Sequence, residues 1–173
     1  MDEPAHQAVD GEVALLARLM EHEVSEPLEV QERDFILSAG LLAAYSDGAE
    51  ITDEEWEVLV HLLLPLCADP EEEIARIDSA EQATEMLEAS AAWLREHAGT
   101  ERYTLYHQLA HLVAVDGRLQ AGEQDFMLHI AELLQIPERS AKDVLYEVLS
   151  GYLQMAASQQ RPTFHFSRTP PKV

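Results

Sequence analysis

Apolar residues recur every three to four positions along most of this chain, the period of one face of an α-helix. Val13, Leu16, Leu19 and Met20 mark a first helix from about Gly11 to Glu23, capped by Asp10 and broken by Ser25-Glu26-Pro27. A second runs from about Val30 to Tyr45, with Phe35, Leu41, Leu42 and Tyr45 apolar; Ala39-Gly40 and Ala43-Ala44 provide small residues for close helix contact. Thr52-Asp53-Glu54-Glu55 is a capping-box pattern and opens a third helix, through Leu59 and Leu63 to about Cys67, with Pro65 kinking its last turn. Asp69-Pro70 starts a short acidic helix over 70–77. Ser79 caps a fifth, whose stripe is Ala83, Met86, Leu87, Ser90 and Leu94. Thr100 caps a sixth that buries Leu105, Leu109, Leu112 and Val113. A seventh spans about Ala121 to Leu134 and ends before Pro137; an eighth runs from Glu138 to about Ala157. No segment alternates strictly between turn signals, so the pattern predicts an all-α, compact bundle of about seven to eight helices.

The pattern also repeats. Ala44-Tyr45-Ser46-Asp47-Gly48 leads through Ile51 to Glu54-Glu55, and Val115-Asp116-Gly117 leads through Leu119 to Glu123. With one extra residue in the first turn, Ile51 pairs with Leu119, Glu55 with Glu123 and His61 with His129. The chain is expected to hold an internal duplication of a helix–Asp-Gly turn–helix unit. The expected organisation is a frayed N-terminus over 1–10, one helical domain over 11–157, and a tail over 158–173. That tail has no acidic residue and holds Arg161, Arg168, Lys172 and three prolines, so it reads as basic and disordered.

Charge narrows the function. A net charge of −22 over 173 residues repels phosphates and excludes nucleic acid as a partner. It suits cations, basic protein partners or plain solubility. The acidic N-terminus does not resemble a signal peptide, and no apolar run reaches the ~20 residues that span a bilayer, so a cytoplasmic protein without membrane insertion is expected. Cys67 has no second cysteine to pair with and sits in an apolar run, as a structural thiol does.

The two units, LLAAYSDGAEITDEEWEVLVHLL and LAHLVAVDGRLQAGEQDFMLHIAELL, resemble the paired signatures of the TerB-like family, tellurite resistance protein TerB and its relatives. The resemblance covers roughly residues 30–150. It implies a helical bundle without enzymatic activity, linked to stress responses and envelope-associated complexes, with acids near the Asp-Gly turns proposed to bind metal. Matched position by position, that acidic pattern falls on Asp47 and Glu55 in the first unit, with Glu54 beside them, and on Asp116 and Glu123 in the second. The sequence departs from the family in its longer first loop and in Arg118, Gln120 and Gly122, where acids are common.

Two readings follow. In one, the turns pool oxygen ligands for a hard divalent cation: Ca²⁺, Mg²⁺ or Mn²⁺. In the other, Glu55 and its neighbours merely cap helices and the acidic face docks a protein partner, with no metal role. A standard EF-hand is excluded, because Asp116-Gly117 at its fifth and sixth positions would put Leu112 and Ala114 at the first and third. His107 and His111, four apart, share a face opposite the Leu105/Leu109/Leu112 stripe and read as surface or partner-helix residues. His61 and His129 lie next to core positions and read as structural. No phosphate loop or nucleophile motif supports catalysis. A carboxylate-based hydrolase would need the two turns to converge.

Overall fold

In a computed structural model of the chain, residues 27–46 and 51–159 are described. The helix expected over 11–23, the tail from residue 160 onward, and Asp47 to Glu50 lie outside the described residues. The described residues form seven helices and no strand: α1 (27–45), α2 (Asp53–Leu63), α3 (Pro70–Ala75), α4 (Ala80–His97), α5 (Glu101–Ala114), α6 (Ala121–Leu133) and α7 (Glu138–Gln159).

The start and stop signals act largely as expected. Thr52 and Glu55 form a reciprocal capping box: the Glu55 amide donates to Thr52 Oγ1 at 3.2 Å, and the Thr52 amide donates to Glu55 Oε2 at 2.8 Å. Asp69 accepts from the Glu72 amide, and Ser79 from the Gln82 amide. Several helix ends differ, among them these. α1 is already helical at Pro27, the first described residue, three residues before the expected start at Val30. α2 stops at Leu63 rather than continuing to Cys67: Pro65 has no amide to extend the ladder, and residues 64–66 form a turn in which Leu66 and Cys67 both donate to the Leu63 carbonyl. Thr100 makes no side-chain cap; instead the Glu101 carboxylate accepts from the Gly99 amide.

At the end of α6 the chain turns through Gln135 in the left-handed region, φ 55°. The Ile136 amide reaches back to the Ala131 carbonyl at 2.8 Å and satisfies a terminal acceptor.

The fold is organised around α5, which packs against α2, α6 and α7. Leu105, Tyr106, Leu109, Ala110, Leu112, Val113 and Ala114 are all buried, which is wider than the single stripe expected. A helix covered on most sides loses its amphipathic signature. α1 crosses the same region with Phe35, Ile36 and Leu37 fully shielded, each side chain contributing about 1.5–3 kcal/mol of burial. The close approach of α1, α2 and α5 is set by Gly40: a Cβ there would lie 2.5 Å from Leu59 Cδ1 and 3.3 Å from Leu112 Cδ2. Tyr45, expected at an apolar position of its helix, is instead exposed.

Buried polar groups are satisfied locally. Ser38 Oγ donates to the Asp34 carbonyl at 2.6 Å and Ser90 Oγ to the Met86 carbonyl at 2.8 Å. Among the described residues, no buried side-chain nitrogen or oxygen lacks a partner. Nor is any of their helices long and apolar enough to cross a membrane.

Candidate functional site

The acids of the two turns are placed by helix starts. In the second unit the Gln120 amide donates to Glu123 Oε2 at 2.8 Å, the counterpart of the Thr52–Glu55 bond. Glu55 and Glu123 are thus each the third residue of their helix, α2 and α6. Their surroundings differ: Glu55 is half-buried, whereas Glu123 is only 6% exposed. Asp116 closes its own turn, accepting from the Arg118 amide at 2.8 Å, while Gly117 takes a φ of 75°. Ser46, the last described residue before the first Asp-Gly pair, lies against the start of α6: a Cβ on Gly122 would sit 3.0 Å from the Ser46 carbonyl oxygen. The end of the first unit's leading helix therefore meets the start of the second unit's trailing helix.

Each candidate metal ligand can be located against that frame. Glu55 and Glu123 hold backbone amides; Asp116 holds its own turn; Asp47 lies outside the described residues. Glu54 is exposed and faces elsewhere, into a groove between helices. Among the described residues, no three His, Cys, Asp or Glu side chains are grouped to hold a metal ion.

That groove brings together titratable side chains from three helices. It runs over α5, walled by α2 on one side and α7 on the other. Glu54, Glu57, Val58 and His61 of α2 face His111 and Tyr152 across a cavity of about 610 Å³. A second cavity of about 370 Å³ shares His111 and Tyr152 and continues to His107, Glu147 and Met155. His111 ties the floor to the α7 wall: its Nδ1 lies 3.2 Å from the Tyr152 hydroxyl. Its ring also meets His107 edge-on, with centroids 4.8 Å apart. Burial and the neighbouring His107 hold the His111 pKa below the ordinary histidine value, and burial raises the Tyr152 phenol. The pair stays neutral near pH 7, suited to hydrogen bonding rather than to carrying charge.

His107 is exposed and His111 contacts a neighbouring helix, as their spacing anticipates. His61 and His129 are both exposed, which corrects their reading as structural residues: each lies one step off the buried stripe of its helix. Glu57, Glu147 and Met155 were not singled out from the sequence. The one available signal was the His107–His111 spacing; the groove itself is assembled from three helices that are far apart along the chain.

The helical order, the duplicated turn sequence and the capped acidic starts are all contained in a family match. A family model for tellurite resistance protein TerB matches residues 35–145. The chain belongs to the TerB family. That span takes in α2 to α6 whole, most of α1 and the first part of α7. No curated protein and no solved structure matches the chain. The TerB match ends at residue 145, so Glu147, Tyr152 and Met155, which form the α7 wall of the groove, lie outside it.

Proposed function

We propose that this TerB-family chain is a non-enzymatic adaptor in a stress-response or envelope-associated assembly, binding a protein partner through its acidic surface. The observation that carries this reading is the distribution of charge. The chain holds 33 acidic residues and 11 basic ones. Several described basic groups are already engaged within the fold: Arg33 with Asp34, Arg76 with Glu72 and Glu73, Lys142 with Glu138, and Arg95 and Arg102 on the terminal carbonyls of α6. Most of the described acids are exposed, and among the described residues no lysine or arginine lines the groove over α5. Such a field accelerates association with a basic partner and disfavours acidic ones. The use of Glu55, Asp116 and Glu123 as backbone caps accounts for three of the acids without a cation.

The test is affinity co-purification with the full-length protein at ~0.05 and ~0.5 M salt, with and without a chelator. A reproducible protein partner released by salt and indifferent to the chelator is expected. No such partner, or one released by the chelator alone, refutes the adaptor reading.

The approach of Ser46 to Gly122, beside the buried Glu123, favours a second reading in which the two turns share a divalent cation, Ca²⁺, Mg²⁺ or Mn²⁺. Calorimetric titration of the chelated protein and of Asp47→Asn/Asp116→Asn separates the two. Saturable binding lost in the double variant supports the cation; weak heats unchanged by it refute the cation.

A further inference from the structure

We infer that the groove between α2 and α7 is the seat of a partner helix, one with an apolar stripe flanked by lysine and arginine. This rests on the adaptor reading and specifies its surface and its ligand. Three features of the groove converge on that occupant. The first is shape: α2 and α7 both pack on α5 but make no comparable packing with each other, so among the described residues α5 is left open between them. A channel floored by one helix and walled by two is the place where a further helix completes a bundle, its ridges entering the grooves of the others. The second is chemistry. Val58 and Leu62 of α2, and Val148 and Met155 of α7, give the walls an apolar lining, and Met155 is 59% exposed. On α7, Val144, Val148, Tyr152 and Met155 follow helical spacing, so the stripe that begins half-buried on the core ends, among the described residues, in the exposed Met155. The third is charge: Glu54 and Glu57 on one wall and Glu147 on the other place carboxylates on both rims, and among the described residues no lysine or arginine lines either cavity.

An apolar channel between two acidic rims matches an amphipathic helix with basic flanks, and repels an acidic one. His111 and Tyr152 supply uncharged polar contacts midway along it, beside His107. The sequence by itself does not assemble this channel, because its floor and walls come from three separate helices.

The experiment uses the ¹⁵N-labelled full-length protein at ~0.15 M salt, where charge attraction is screened beyond about 8 Å. It is titrated with an about 18-residue Leu/Lys peptide, five helical turns long, patterned to be amphipathic. The control is a scramble of the same composition, which carries the same charge without an apolar face. The amphipathic peptide is expected to bind about tenfold tighter than the scramble, the size of effect one well-packed apolar anchor gives. Amide shifts should concentrate on His61, Gln108, His111 and Tyr152. Met155→Asp, an exposed change that leaves the core intact, should weaken binding about tenfold, as should Glu57→Lys with Glu147→Lys. Val30→Asp, an exposed change on α1, should not.

Equal affinity for the two peptides overturns the proposal, as do shifts that map to another face. A further full-length variant, Arg161→Glu/Arg168→Glu/Lys172→Glu, tests the chain's own basic residues. If it alone moves the groove resonances, the occupant is in cis and the proposal of a separate partner helix fails. The adaptor reading fails separately: if the natural partner still co-purifies with Met155→Asp, the groove is wrong and the adaptor stands, whereas no salt-sensitive partner with the unaltered protein removes both.

Discussion

Replacing Gly40 by alanine should destabilise this protein, although alanine is the better helix former. In a helix interior the change gains about 1 kcal/mol of propensity. Here the added methyl would lie 2.5 Å from Leu59 Cδ1 and 3.3 Å from Leu112 Cδ2, against an ordinary carbon–carbon contact of about 3.5–4.0 Å. Leu59 is 1% exposed and Leu112 2%, so neither side chain can retreat into solvent. Either a rotamer must change or α1 must move away from α2 and α5, an overpacking cost of about 1–3 kcal/mol. Taking about 2 kcal/mol for overpacking less about 1 for propensity leaves a net loss of about 1 kcal/mol. For a chain of this size that is about 2–4 °C in Tm. The assay is urea denaturation followed by circular dichroism, with Leu59→Ala as the companion. Leu59→Ala alone should cost about 2–5 kcal/mol by leaving a cavity. In that background Gly40→Ala should turn stabilising by about 1 kcal/mol, because its methyl now has room and only the propensity gain remains. If Gly40→Ala raises stability in the unaltered protein, or if the two changes are additive, the close approach described here is wrong.

The two equivalent caps should respond unequally. Glu123→Ala removes a buried acceptor and should cost about 1–3 kcal/mol, whereas half-buried Glu55→Ala should cost about 0.5–1 kcal/mol; chemical denaturation of both reads the difference, and equal costs would sink the argument from burial. Gln135→Gly should stabilise by about 1 kcal/mol, since φ 55° suits glycine and strains a residue with a side chain, and thermal melting checks it. His111 should make stability pH-dependent. Its pKa is lowered on folding, by burial first and then by His107, so the unfolded chain takes up the proton first as pH falls. Stability should therefore drop on acidification from the ordinary histidine value of 6.5 and level off below the folded value. His111→Gln, measured by urea denaturation between about pH 7 and pH 5, should flatten that slope, and an unchanged slope would show that other groups set it.

Local signals that act within one or two helical turns were readable along the chain. The starts of α2, α3 and α4 follow from Thr52, Asp69 and Ser79, whose side chains satisfy amides three residues on. The stop before Pro137 and the left-handed turn at Gly117 follow from what proline and glycine do to a backbone. Even the equivalence of Glu55 and Glu123 was legible, because a capping box is a three-residue event. The small pair Ala39-Gly40 announced a close helix contact without naming its partners. What tertiary structure alone decided is which helix sits in the middle. α5 reads as one-sided in sequence, yet Tyr106, Ala110 and Ala114 are buried as well, because α2, α6 and α7 gather around it. The same gathering left a channel above α5 and set Glu57, His111, Glu147 and Tyr152 along it. Periodicity tells each helix which face to hide, but a groove is made from the faces left over after several helices have packed, and only their packing specifies those.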